Sequence, residues 1–262
     1  MKTKKDHKQS DRYNVPAIEQ AARVLFCLAE NETSHLSLTE ICSKVGIHSG
    51  RAFSIMQTLQ KFGFAQRNIG GKGYSLGPGL LMLSRKVLDS FDVPRLAEPI
   101  LKDLAKKADS TATLGLIVDD QIFVISKNEG GVDVGITARI GRRFHISHSA
   151  EGKAIAAFLP EKDLEELLQS KELYFHGSPE FFNKERLLEE IEECRRVGYA
   201  LDIREANQRL NAVAAPVFGS SGNPIGHITV IGLLSENWAR ELGPMVFEAA
   251  KTLSQQLGHQ AQ

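Results

Sequence analysis

The chain has 262 residues, of which 42% are hydrophobic and 24% charged, with 32 Lys and Arg balanced by 32 Asp and Glu. This length favours two domains, and the composition is that of an ordinary globular protein, which excludes fibrous and low-complexity classes. No apolar run reaches about 18 residues and the first 14 residues are charged and polar, so we expect neither a membrane span nor a signal peptide.

The neutral total hides an uneven distribution of charge. Residues 1–90 hold 13 Lys and Arg against 7 Asp and Glu, so the rest of the chain is net negative. A basic first third is expected if that part alone binds a polyanion, although a chance fluctuation in surface charge would give the same pattern. The three cysteines share no CxxC motif, which favours a cytoplasmic protein without disulfides.

The first predicted elements are three helices. Apolar residues at helical spacing predict an amphipathic helix from Pro16 onward, and SLTEICSKV predicts a second, with Thr39 as its cap or a first-turn residue. Gly46, which can adopt positive φ, marks the turn before a third helix over residues 48–62. The small and apolar residues of both later helices fit a helix-turn-helix, with a generic helical hairpin as the alternative.

Two short β-like runs, FAQRN and GYSL, flank the glycine-rich turn IGGKG and predict the wing of a winged helix-turn-helix. In this motif the second helix reads base edges and neighbouring elements contact phosphates. The expected base-reading residues are Ser49, Arg51, Ser54 and Gln57, and the expected phosphate-binding residues are Lys61, Arg67 and Lys72. Arg51 is expected to read a guanine through bidentate hydrogen bonds.

The remainder predicts an α+β fold. LGPGLLMLSRKVLDSF predicts an apolar helix that either links two domains and packs against another subunit or belongs to an ordinary core, and the next helix has a cap-like Asp92. The predicted strands are TATLGLIVDD, QIFVISKNE, VDVGITARI, YALDIRE, RLNAVAAPVFG and NPIGHITVIG. Three helices separate the third strand from the fourth, and a final helix follows the last. This order indicates an antiparallel sheet with packed helices.

The segment HSAEGKA superficially resembles a phosphate-binding loop. It has Ser147 where that loop needs Gly, and Ala154 where it needs Ser or Thr for magnesium, so a nucleotide site is not expected. Instead, backbone N–H groups near Ala150 and Glu151, at the start of the helix, are expected to bind a carboxylate.

Neither a metal site nor a catalytic site is predicted. His145 and His148 would point to opposite faces of a strand, so joint metal ligation would need a loop or a bend. Cys194 lies in the charged helix EEIEECRRVG and is interpreted as an ordinary thiol. No Ser-His-Asp or Cys-His arrangement has local support, so we expect no enzyme activity and no cofactor.

The segments GFAQRN, GYSLGPGLL, HSAEGKAIAAFLP and GYALDIREANQRLNAVAAPVF together resemble the IclR family of bacterial transcriptional regulators, from about Val15 to Leu257. The resemblance implies a winged helix-turn-helix domain over 15–77, a linker helix over 78–92 and a GAF-like effector-binding domain with an antiparallel sheet over 93–260. It also implies three partners: double-stranded operator DNA, a small organic acid as effector, and further copies of this chain in a homodimer or homotetramer.

Carried over by position, the resemblance implies an effector pocket. Its expected residues are Ala150, Glu151, Asp202, Ala212, Thr229 and Ile231. The family often has cysteine at Ala212, and some glyoxylate- or pyruvate-responsive members have a hydroxyl at Ile231, so we expect a more apolar pocket for a larger or aromatic acid. Arg209 replaces a usual glycine and would either pair with a ligand carboxylate or lie solvated. Ser54 replaces a common arginine, so the operator sequence need not match that of relatives.

The favoured function is a ligand-responsive transcriptional regulator of a catabolic operon, either repressor or activator. The alternative is a small-molecule-binding module or enzyme whose N-terminal domain serves protein association only. A redox or metal sensor built on the cysteines is disfavoured, because the three share no motif.

Overall fold

The computed structural model describes residues 15–31, 35–68, 73–83, 93–131, 136 and 138–259. Its contacts divide the chain into two units, Met1–Phe91 and Asp92–Gln262. The predicted linker helix over 78–92 stays a prediction: residues 79–83 are helical, while residues 84–92, including the cap-like Asp92, lie outside the described residues. No helix within the described ranges is both long and apolar enough to span a membrane.

The first unit contains the predicted three helices and the predicted hairpin. Its elements are α1 (Pro16–Glu30), α2 (Leu38–Val45), α3 (Ser49–Lys61), β1 (Ala65–Arg67) and β2 (Tyr74–Leu76). The two strands are antiparallel, with Gln66 opposite Ser75. One core joins the helices to the hairpin, and its buried members include Val24, Ile41 and Met56.

Local hydrogen bonds set the ends of α2 and α3. Ser37 caps α2 in a capping box with Glu40, in which Ser37 N donates to Glu40 Oε2 at 2.8 Å and Glu40 N to Ser37 Oγ at 3.3 Å. Thr39 is therefore a first-turn residue. Gly46 ends α2 with a φ of 73°, a left-handed conformation that glycine adopts readily. His48 caps α3, since its Nδ1 accepts from Arg51 N at 3.3 Å.

The second unit is a six-stranded antiparallel sheet with helices on both faces. Its strands are β3 (Thr111–Val118), β4 (Gln121–Asn128), β5 (Arg143–His145), β6 (Ala200–Ile203), β7 (Asn211–Phe218) and β8 (Pro224–Gly232). The order across the sheet is β5-β4-β3-β8-β7-β6. The helices are α4 (Val93–Ala108), α5 (Ser149–Ala156), α6 (Glu161–Leu168), α7 (Lys184–Val197) and α8 (Glu236–Gln256), with a short 3-10 helix at Pro179–Phe181.

The alternation of side chains along β7 separates two cores. Val213 and Val217 pack with α4 and α8 on one face of the sheet. Ala212 and Ala214 pack with α5, α6 and α7 on the other. Because successive strand residues point to opposite faces, one strand supplies both cores.

One predicted strand is wrong. In VDVGITARI, the described residues 136 and 138–140 form no strand, and residues 132–135 and 137 lie outside the described part. The edge strand β5 lies further on and pairs with β4, with Phe144 opposite Ile122. Ile136 and Ala138 instead line the cleft described below.

Candidate functional site

The second helix of the helix-turn-helix carries an open polar face. Four apolar residues anchor α3 in the core: Ala52, Ile55, Met56 and Leu59. Several residues on the outward side are exposed: Ser49, Phe53, Ser54, Gln57, Thr58 and Lys61. Because the apolar stripe faces the core, the opposite side of α3 is open to a large ligand. This side carries four of the residues predicted to contact DNA: Ser49, Ser54, Gln57 and Lys61.

Arg51 departs from the expected exposed position. It is half-buried, and its Nε donates to Gln20 Oε1 of α1 at 2.8 Å. Arg51 therefore lies at the border of the buried stripe and not in the middle of the open face, and its role in reading bases stays a prediction. A guanidinium carries several N–H donors, so the hydrogen bond from Nε to Gln20 leaves other donors of Arg51 for a further partner.

The hairpin presents a cation beside the helix-turn-helix core. Arg67 is exposed at the end of β1, and its guanidinium carbon lies 5.9 Å from the centre of the Tyr74 ring. Leu36 pairs with Tyr74 in an isolated bridge, which ties the hairpin to the start of α2. Lys72 lies outside the described residues.

The second unit contains a cleft of about 180 Å³ on the α5 side of the sheet. Its apolar walls include Val124, Phe144, Leu210, Ala212 and Ile231. Polar groups from several elements also reach it: Thr113, Arg142, His148, Ser149, Glu151, Asp202, Asn207, Asn211 and His227. An apolar cleft with a few converging polar groups is typical of a small-molecule site.

Four of the six predicted effector residues line this cleft: Glu151, Asp202, Ala212 and Ile231. The other two do not. Ala150 is fully buried in the core between α5 and the sheet. Thr229 is also buried, and it meets the cleft only through His227, whose Nδ1 lies 2.8 Å from Thr229 Oγ1. Arg209 is exposed and does not line the cleft, which agrees with the solvated alternative.

Asp202 organises the floor of the cleft. Its carboxylate accepts hydrogen bonds from Glu205 N at 2.8 Å and Ala206 N at 3.1 Å, and from the Ser149 hydroxyl. Glu151 is buried beside this group. Burial, reinforced by the negative charge of Asp202, raises the pKa of Glu151 to about 7.

Three buried polar atoms in the cleft have no partner within the described protein. These atoms are Glu151 Oε2, Asn211 Oδ1 and His227 Nε2. The other end of the Asn211 amide is fixed, since its Nδ2 donates to Leu234 O at 2.8 Å. Buried polar atoms are nearly always paired in folded proteins, so three unpaired atoms in one cleft are an unusual feature of this site.

Arg142, Phe144 and His148 form a stack of side chains along one wall of the cleft. The Arg142 guanidinium carbon lies 4.9 Å from the centre of the Phe144 ring, and Phe144 stacks on His148 with 4.7 Å between ring centroids. Arg142 is exposed, whereas the three unpaired atoms are buried, so the cation lies at the rim and the unpaired polar atoms lie at the floor. Burial lowers the pKa of His148, and lowers that of His227 to about 3, which leaves both rings neutral at pH 7.

His145 and His148 serve separate roles. His145 Nδ1 lies 2.7 Å from Ser147 Oγ, while His148 precedes α5 and stacks on Phe144. Across the described residues, no group of three His, Cys, Asp or Glu is arranged to hold a metal ion.

Lys153 of the HSAEGKA segment belongs to a buried ion network. Its Nζ lies 2.6 Å from Glu205 Oε2 and 3.0 Å from Glu190 Oε2, and the side chain is 1% exposed. Although burial opposes the shift, His176 and Lys153 lower the pKa of Glu190 to about 2. Lys153 therefore pairs with carboxylates of the protein. In a phosphate-binding loop the lysine would instead bind a phosphate, which is not expected for HSAEGKA.

Sequence reasoning missed Arg142, Asn211 and His227. They come from a loop, from β7 and from β8, and no motif in the sequence links them. The one local signal was Gly115, opposite His227 on β3, where a Cβ would lie 2.2 Å from His227 Nε2. A glycine within a buried strand indicates that another group approaches closely.

Comparisons with known proteins match both units of the chain. Residues 17–68 match the model of the IclR helix-turn-helix domain, and residues 85–257 match that of the bacterial transcriptional regulator IclR C-terminal domain. The chain is 28% identical to the regulator XynR of Escherichia coli over 94% of this chain and 99% of that protein.

Two solved structures share the fold. An IclR transcriptional regulator from Alicyclobacillus acidocaldarius is 26% identical, with a TM-score of 0.81 over 93% of this chain and 99% of that one. An IclR homologue from Microbacterium hydrocarbonoxydans, in complex with 4-hydroxybenzoate, has a TM-score of 0.77 over 92% of this chain and 98% of that one. At 18% identity, the second likeness supports the fold alone.

Proposed function

The chain belongs to the IclR family of bacterial transcriptional regulators, and we propose that an organic acid bound in its cleft controls its affinity for operator DNA. The named members of the family that resemble this chain include a transcriptional repressor, so the function of the family is DNA-binding regulation and not catalysis. The observation that carries the ligand part of the proposal is the set of three buried, unpaired polar atoms in one cleft.

The cleft suits an acid with an apolar body. Arg142 at the rim offers a bidentate partner for a carboxylate. Val124, Phe144 and Ile231 provide apolar walls for the middle of the molecule, which favours a larger or aromatic acid over glyoxylate. The 4-hydroxybenzoate bound by the Microbacterium homologue is a ligand of this type.

The DNA part of the proposal assigns contacts to the first unit. Ser49, Ser54 and Gln57 would contact base edges in the major groove, with Arg51 at their border. The phosphate contacts would come from Lys61, Arg67 and Lys72. Their electrostatic contribution to DNA affinity weakens with added salt.

Control of operator affinity requires two states of the protein. A self-associated regulator in the cytoplasm would hold its paired winged helices in two arrangements, and the acid would bind one arrangement more tightly. Equal affinity for both would shift nothing. Acting on a catabolic operon, such a protein would couple transcription to the level of the acid.

A screen by thermal unfolding, followed by DNA binding, tests the proposal. Benzoate-type acids should raise the melting temperature while glyoxylate should not, because a ligand that binds only the folded state stabilises it. The acids that do so should also change the affinity for promoter DNA in an anisotropy titration. If no acid stabilises the protein, or if no specific duplex is bound at low salt, the proposal fails.

A further inference from the structure

One large apolar side chain is exposed on the DNA-facing helix. Phe53 is 49% exposed in the middle of α3, and it is not among the side chains packed on the core of the first unit. Within Ser49–Lys61, a range that is fully described, it is the one large hydrophobic residue with this exposure. Leaving half of a phenyl ring in water forgoes a favourable burial, which indicates that another surface covers it.

The position of Phe53 indicates what that surface is. Ser49, Phe53, Gln57 and Lys61 follow each other at intervals of four residues and are all exposed, so they form one outward stripe of α3. Phe53 thus lies between polar residues that suit base and phosphate contacts. The other exposed apolar residues of this unit lie outside α3, with Ile18 on α1, Phe62 just after α3 and Met82 beyond the hairpin.

We propose that Phe53 reads a thymine by packing its ring on the C5-methyl group in the major groove. The methyl group is the one apolar feature that a base pair presents there, and a phenyl ring is among the side chains that contact it. This inference rests on the proposed DNA contact of α3.

The stripe also places the thymine in the operator. Four residues of an α-helix span about 6 Å, which is less than two base-pair steps of about 3.4 Å each. Gln57 suits an adenine, to which it can bind bidentately. The thymine read by Phe53 therefore lies within about two base pairs of the base read by Gln57.

Replacing thymine by uracil, which removes only the methyl group, tests this inference. The preferred duplex is first selected from random sequences with the full-length protein, and each thymine of that duplex is then replaced in turn. At one position, or at its symmetry copy, the wild-type Kd should rise about fourfold, as expected from exposing one buried methyl group. In Phe53→Ala the same replacement should have no effect, and Phe53→Leu should give an intermediate ratio.

Phe62→Ala is the matched control, because Phe62 is also exposed but follows the last residue of α3. It should retain the full dependence on the methyl group. Dependence that persists in Phe53→Ala, or a wild type that ignores every methyl group, would overturn the inference and leave DNA binding intact. Loss of self-association in Phe53→Ala with an unchanged response to uracil would also overturn it. Failure to select any duplex would overturn both this inference and the proposed function.

Discussion

The Ser149 hydroxyl donates a hydrogen bond to the Asp202 carboxylate and so joins the start of α5 to β6 at the floor of the cleft. Ser149 has a φ of 53°, a left-handed conformation that a serine keeps only where its surroundings hold it. Asp202 also fixes the turn after β6 through two backbone N–H groups. The protein itself therefore shapes the floor of the cleft.

Replacing Asp202 by alanine should destabilise the second unit. The substitution leaves two backbone N–H groups and the Ser149 hydroxyl without their charged acceptor, and we expect a loss of about 2–4 kcal/mol in the free energy of unfolding. Chemical denaturation of the full chain, followed by circular dichroism, measures it. Asp103→Ala, which removes an exposed carboxylate that pairs with Lys107, should change stability by less than about 0.5 kcal/mol. Equal effects of the two variants would contradict this role of Asp202.

Local sequence patterns predicted the first unit well, because each of its helices buries apolar residues at helical spacing. The stripe of Ala52, Ile55, Met56 and Leu59 requires a helix with one buried face, and a glycine-rich turn between β-like runs requires a hairpin. Arg51 shows the limit of this reasoning, because a residue at the border of a stripe can turn toward either side.

The cleft was only partly predictable, since it forms from residues far apart in the sequence. Glu151 and Asp202 were found through the family resemblance, and the structure places both in the cleft. Arg142, Asn211 and His227 show no spacing that links them, and only the fold brings their loop and the strands β7 and β8 to one cleft. The segment around Ile136 resembled a strand because its apolar residues alternate with others. A segment that lines a cavity can show the same alternation as a strand with one buried face.

The stability of the protein should depend on the protonation of Glu151. Its pKa is about 7 in the folded protein, against about 4.5 when unfolded, so the folded state holds its proton more tightly. The free energy of unfolding should therefore fall as pH rises from about 4.5 to about 7, by up to about 3 kcal/mol, and then level off. Denaturation at a series of pH values measures this profile.

Glu151→Gln isolates the effect of this residue. The depressed pKa values of His148 and His227 act in the opposite direction, because stability is gained as pH rises to about 6.5, and they are present in both proteins. The difference between wild type and Glu151→Gln should change between pH 4.5 and 7. A constant difference over that range would show that Glu151 titrates as an ordinary carboxyl group.

Removing the cation at the rim should weaken acid binding. We expect Arg142→Ala to raise the Kd of a stabilising acid about 10- to 100-fold, the effect of losing a hydrogen bond between charged groups. Isothermal titration calorimetry measures the change. Arg209→Ala removes an exposed cation that does not line the cleft, and should leave the Kd within twofold. A larger effect at Arg209 than at Arg142 would place the carboxylate elsewhere.

Two residues of α3 should have separable effects on DNA binding. Lys61→Ala should weaken binding to every duplex and reduce the slope of log K against log salt by about 1, because it removes a phosphate contact. Gln57→Ala should cost about 1–3 kcal/mol on the preferred duplex and much less on unrelated DNA. Anisotropy titrations at several salt concentrations measure both effects, with the exposed Lys162 of α6 as an alanine control. Identical effects of the two substitutions on all duplexes would exclude base reading by Gln57.

The decisive measurement of acid-controlled DNA binding is the operator Kd with and without a saturating concentration of an acid that raises the melting temperature. We expect the acid to change the operator Kd of the wild type at least fivefold, which is the lower end of the usual coupling between two binding sites. The change should be lost in Arg142→Ala at the same acid concentration. An operator Kd that is the same with the cleft filled and with it empty would exclude control of DNA binding by the acid.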